Sequence, residues 1–313
     1  MRKTYTLMKK FIPIIIMCGF VPVIVSGILS FSICYNPETY SLKIPTAVTC
    51  IFLALIVIFI ALSAYVAVKC DGVKVTKIRK CSFSKFASYL AAVSMLIGFI
   101  YDLTVIIEDP HSFGIFRTIR FILSLALFAY FVISALPKQI KRKKIVFPRY
   151  LTRALSVCTV FWGLCGIFSI YFYDKLLTSE ISRISQILIY VFITLFFLFE
   201  AEAEHLEPKY RPYIFSALAL GILVCAFPIP MILIPSVQRF SAMELSYPIS
   251  IGIYAVSRIV SLMKTMKKSI DERENLEAAK YSDDYEEYEE PDEDKKTEKH
   301  SEDNKAEKKE NIE

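Results

Sequence analysis

The residues best placed to do chemistry form an acidic run, Glu200-Ala-Glu202-Ala-Glu204-His205-Leu-Glu207, closed by Pro208. Carboxylates oppose the dipole at a helix C-terminus, so their number here implies a helix that continues until the proline stops it. On such a helix Glu200, Glu204 and Glu207 share one face at i, i+4 and i+7. Three carboxylates beside His205 can ligate a divalent ion. They can equally pair with the cations of Lys141–Lys144 on a neighbouring connection. The ion-pair reading is preferred, because no second histidine is available on that side and the H-E-x-x-H spacing is missing.

A second constellation is Asp102 with Arg120, and less directly Arg117. Both lie in apolar surroundings, where a lone charge is costly and a pair is cheaper. The pair reads either as a staple between adjacent helices or as part of a polar pocket. Pro228 and Pro230 form a third feature, since each removes a backbone donor and kinks or unwinds the helix carrying it.

Other chemistry is thinly supplied. His111, His205 and His300 are the three histidines, and no phosphate-binding, nucleophile-elbow or dinucleotide glycine motif occurs. None of the eight cysteines forms C-x-x-C; Cys70 and Cys81 stand in a basic connection, where reduced thiols are expected and lipidation is the alternative. The residues point to no cofactor, no metal and no nucleic-acid partner, and the chain reads as a non-enzyme.

The elements that must position these groups are hydrophobic blocks long enough to cross about 30 Å of hydrocarbon. Eight are expected: Phe11–Cys34, Thr46–Val68, Phe86–Ile107, Thr118–Pro137, Leu151–Tyr173, Ile184–Glu200, Tyr213–Ile234 and Ser246–Met263. The first is too long for a cleaved leader and reads as a retained helix. The last contains Arg258, expected to snorkel toward the lysines beyond Met263. Thr152, Ser156, Thr159, Gly163 and Gly166 make a small-residue seam that marks the fifth span as the expected centre of the bundle. Ala217, Gly221 and Cys225 give the seventh a second packing face. The fold class is thus an all-α transmembrane bundle.

Charge orients it. The N-terminus, residues 69–85, 138–153 and 201–211 and the start of the tail hold 22 Lys/Arg, against six in the other connections. Cationic connections stay in the cytoplasm, so both termini are expected inside. A membrane domain, 1–268, carries 29 Lys/Arg and 12 Asp/Glu; a tail, 269–313, carries 8 and 19. The tail has too few aliphatics to offset its ordering entropy and is expected to be largely disordered, with helical character from Ser269 to about Lys280. Its expected partner is a cytoplasmic protein, while the basic connections face anionic lipid headgroups. Abundant Ile, Lys, Phe and Tyr with one Trp suit a bacterial cytoplasmic membrane. The leading expectation is a regulatory or scaffold component acting through its tail. The alternatives are a small-solute permease with a pocket near the outer ends of spans three, four and seven, and a membrane-embedded enzyme built on the acidic helix.

Overall fold

The computed structural model describes residues 2–36, 41–42, 47–70, 75, 78–108, 114–136, 139–140, 143–144, 148–172, 180–205, 209–234 and 242–286. Among them are eight helices long and apolar enough to cross a membrane. They are α1 (Arg2–Cys34), α2 (Ala47–Lys69), α3 (Ser82–Glu108), α4 (Ile115–Ala135), α5 (Arg149–Phe172), α6 (Glu180–His205), α7 (Tyr210–Leu233) and α8 (Ala242–Glu286). Four of them, α1, α3, α6 and α8, outrun the expected blocks by a turn or more, because polar turns extend each helix beyond its apolar stretch. Two two-residue antiparallel ladders complete the described structure, Tyr35–Asn36 on Ser41–Leu42 and Gln139–Ile140 on Lys143–Lys144. Contacts divide the chain into Met1–Lys267 and Lys268–Glu313.

With α7 set aside, burial runs opposite to hydropathy, as a lipid solvent favours. The most apolar helix, α2, has 28% of its spanning window buried, whereas the least apolar, α8, has 72%. In water that order would be reversed. Here Ile51, Val57 and Ile58 of α2 face outward, where hydrocarbon suits them, and the serines of α8 face protein, where they find partners.

The centre of the bundle is α7, with 83% of its window buried, and not the expected fifth span, α5, at 44%. The α5 seam is used, but for one neighbour. A Cβ on Gly163 would lie 2.3 Å from Thr194 Oγ1, and one on Gly166 2.4 Å from the Tyr190 ring, both on α6. A small-residue seam permits close approach without saying how many helices approach. In α7 apolar residues surround the whole circumference and all find protein neighbours, from Tyr213 to Ala226.

Two helices are irregular where proline demands it. A π-helical segment, Ile15–Phe20, lies between Pro13 and Pro22 of α1 and widens the backbone where the ring of Pro22 would crowd the preceding turn. In α7 the helix is interrupted at Phe227 (φ −116°, ψ −66°) and resumes over Pro228–Leu233. Gly27 of α1 sits against that interruption; a Cβ there would be 2.8 Å from Pro230 and 2.9 Å from the Ala226 carbonyl oxygen.

The path of α8 governs the site. It passes α3 through Ser94–Ser246, α5 through Trp162–Tyr247, α7 through Gly252 against Val224, and α4 and α6 through Tyr254 set edge-to-face against Phe131 and Phe196. The helix continues to Glu286, beyond the expected Lys280. Residues 287–313 lie outside the described residues, as do His111 and Glu207.

Candidate functional site

Arg258 stands on α8 with no exposed surface. Its Nε donates to Glu200 Oε1 at 2.6 Å and its Nη2 to Glu204 Oε1 at 3.2 Å. The two glutamates lie one turn apart on α6, so a single guanidinium spans both. Glu200 is 1% exposed and Glu204 24%. Tyrosines supply the remaining donors to Glu200: Tyr213 of α7 to Oε2 at 2.6 Å and Tyr254 of α8 to Oε1 at 3.2 Å. Rings enclose the group, with Phe131 5.1 Å and Phe196 6.0 Å from Tyr254, and Tyr130 and Phe131 each 6.1 Å from Phe197.

This corrects one expectation. Arg258 does not snorkel outward; it turns into the bundle, because two carboxylates at its own depth solvate it better than a long reach to water. Glu200 and Glu204 both bond Arg258; of the expected partners Lys141–Lys144, only the backbone pairing of Lys143 and Lys144 falls within the described residues. Glu207 lies outside the described residues, and of His205 only its place at the end of α6 is given. Both described carboxylates converge on a guanidinium, which fills the cation's place with a side chain. The signal for this was present in the sequence. Glu200 ends the sixth span, Arg258 lies five residues before the end of the eighth, and spans of equal parity run parallel, which puts both charges near the same depth.

Around the cluster, side-chain hydroxyls of α7 and α8 hold the connection between α2 and α3. Tyr210 Oη donates to the Val75 carbonyl at 2.5 Å. The Arg79 N–H donates to Thr265 Oγ1 at 3.0 Å and the Cys81 N–H to Ser261 Oγ at 3.4 Å. Ser261 Oγ also lies 3.1 Å from Cys81 Sγ, which accepts the Ser84 N–H at 3.4 Å as an N-cap of α3. Burial pushes the Cys81 thiol up, but these hydrogen bonds and the charge of Lys264 outweigh it and hold the thiol below its usual value. Cys70 is buried without such donors, and burial pushes it up to about 11.

The second constellation lies toward the other ends of α3 and α4. Asp102 is 2% exposed and its ion pair is with Arg117, at 3.6 Å, in place of the expected Arg120. Arg120 instead donates to Tyr190 Oη of α6 at 3.3 Å, its guanidinium 5.9 Å from that ring's centroid. The physical reason is direction. Arg120 lies on the buried face of α4 with Ser124, which accepts from Trp162 Nε1 at 3.0 Å, while Arg117 lies nearer the rim, 21% exposed. Pro230 packs on Gly27 of α1, and no described contact joins the Pro228–Pro230 interruption to Asp102 or Arg120.

The arrangement at Glu200, Glu204 and Arg258 ties α6, α7 and α8 together through side-chain hydrogen bonds. Comparisons with protein-family models, with curated proteins and with solved structures return no match.

Proposed function

We propose that this chain is a non-enzymatic regulatory or scaffold component of a membrane, in which the bundle anchors and α8 presents a partner-binding arm. Both termini lie in the cytoplasm, following the 22-to-6 division of Lys/Arg between the two sets of connections. A bacterial cytoplasmic membrane suits the composition, and anionic lipid headgroups meet the basic connections. The observation that carries the reading is the length of α8, one helix from Ala242 to Glu286 that holds Arg258 in the core and runs on into acidic sequence. Its partner is a cytoplasmic protein with a basic surface, and the sequence of residues 287–313 adds further acidic charge.

The test is removal of residues 269–313. Membrane insertion persists, and capture of the partner and the associated phenotype are lost. Full function in the truncated chain overturns the reading. A second reading, a small-solute permease, draws on the buried Asp102 and Arg120. It requires Asp102→Asn to abolish solute uptake into vesicles at unchanged expression, and unchanged uptake removes it.

A further inference from the structure

Cations of the later helices have carboxylate partners. Lys209 Nζ, at the start of α7, lies 3.9 Å from Glu202, and Arg258 bridges Glu200 and Glu204. The first two helices differ, since neither α1 nor α2 contains an Asp or Glu. Lys9, Lys10 and Lys69 are exposed, and none of them belongs to an ion pair among the described residues. Two of these lysines rest on rings. Lys10 Nζ stands 6.0 Å from the Phe11 centroid, and Lys69 Nζ 5.8 Å from that of Tyr65.

The rings themselves meet. Phe11 and Tyr65 pack edge to face with centroids 6.4 Å apart, which fixes the depth of α1 against α2. Phe11 opens the first apolar block, Lys10 precedes it, and Lys69 lies one turn past Tyr65, a rise of about 6 Å. Both ammonium groups therefore stand at the edge of the hydrocarbon, on ring faces that attract their charge. A ring face uses no lone pair, so the N–H donors of each lysine remain for an anion. Each lysine also heads an exposed apolar stripe: Ile14, Met17 and Val21 on α1, and Ile58 and Ile51 on α2.

We propose that these ends of α1 and α2 bind the headgroup phosphate of an anionic phospholipid, with Lys10 and Lys69 as its cations and Phe11 and Tyr65 as the platform that seats them. Side chains this exposed can both turn to one phosphate across the ring contact, giving charge-assisted hydrogen bonds to charges that have no carboxylate on their own helices. The two stripes argue for a lipid over free phosphate, because each can take an acyl chain once the headgroup is held. Basic ends attract anionic leaflets in general; here the aromatic contact selects two lysines on one helix pair. The inference rests on the reading that anionic headgroups meet the basic connections, and it names the residues that hold one.

The test uses the full chain in phosphatidylcholine vesicles with a trace of phosphatidylglycerol carrying a photoactivatable diazirine in its acyl chain, present in both leaflets. Cross-linked peptides of α1 and α2 are quantified by mass spectrometry. The chain cross-links on both helices, and excess phosphatidylglycerol displaces the probe, whereas excess phosphatidylcholine or inorganic phosphate does not. Lys10→Gln with Lys69→Gln lowers the yield about tenfold or more, since each lysine near an anionic surface is worth roughly fivefold. Lys10→Arg with Lys69→Arg keeps the yield, and so does Lys3→Gln, two turns away. Phe11→Leu with Tyr65→Leu retains both charges and lowers it about threefold. An unchanged yield in the glutamine variant overturns the site, and one in the leucine variant overturns the platform. Displacement by phosphatidylcholine or by inorganic phosphate overturns the anionic lipid as ligand. Neither the tail nor its partner enters the assay, so partner capture that survives such a result leaves the arm standing without this lipid site.

Discussion

At one end of the bundle Arg258 lies wholly inside protein, bonded to two carboxylates at 2.6 and 3.2 Å, with two tyrosines completing the nearer one. Toward the other, Asp102 meets Arg117 at 3.6 Å and the arginine is 21% exposed. Both are ion pairs between membrane helices, yet they should behave differently. The first has given up its water and must be satisfied by geometry alone. The second keeps one partner at the rim, where water and headgroups compensate part of any loss. The two pairs differ first in depth: Arg258 has no exposed surface, whereas Arg117 is 21% exposed.

The largest expected effect comes from breaking the deep pair. Arg258→Leu strands Glu200 without its cation and should cost about 3–5 kcal/mol, read as loss of folded protein in detergent unfolding. Replacing both Arg258 and Glu200 with leucine should recover part of that loss, because the stranded charge goes too. Next is Tyr213→Phe, which removes a donor to an ionised carboxylate and should cost about 1.5–3 kcal/mol in the same assay. Gly98→Ala tests the α3–α8 approach rather than charge. Its Cβ would fall 1.8 Å from the Tyr247 hydroxyl, so the ring must move, at about 1–3 kcal/mol. The smallest effect is toward the rim, where Arg117→Ala removes a partly exposed arginine from the buried Asp102 and should cost about 1–2 kcal/mol. An equal loss from Arg117→Ala and Arg258→Leu would erase the distinction.

The two cysteines of the α2–α3 connection repeat the contrast in another chemistry. Cys81 has hydrogen-bond donors and a cation, Cys70 only burial. A thiol held below its usual value forms thiolate at lower pH, so Cys81 should alkylate first as pH rises. Cys70, pushed to about 11, should label only under strong alkali or on unfolding. Mass mapping after a pH series of iodoacetamide labelling reads both.

Much of the scaffold was legible in the chain, because twenty-residue apolar blocks have few alternatives to a spanning helix. Partnering was less so. Asp102 was expected to pair across the hairpin, and it does, but with the arginine one turn nearer the rim. The sequence placed Arg117 and Arg120 three residues apart and could not say that Trp162 and Tyr190 would build a buried face for Arg120. Glu200 and Glu204 were recognised as one face of a helix, while Arg258 was assigned to solvent, since a span with an arginine looks weak when read by itself. Its polar residues are an asset only when surrounded by protein, and that depends on which helix is central. Helix order around α8 has no local signature, so α5 drew the expectation of centrality that belongs to α7.

The most direct measurement of the central claim is a double-mutant cycle on Glu200→Gln and Arg258→Gln, with unfolding free energies taken in one detergent. If the two residues act as a single buried unit, the double variant should lose less than the sum of the singles by about 2–3 kcal/mol. Losses that add to within about 0.5 kcal/mol would contradict it.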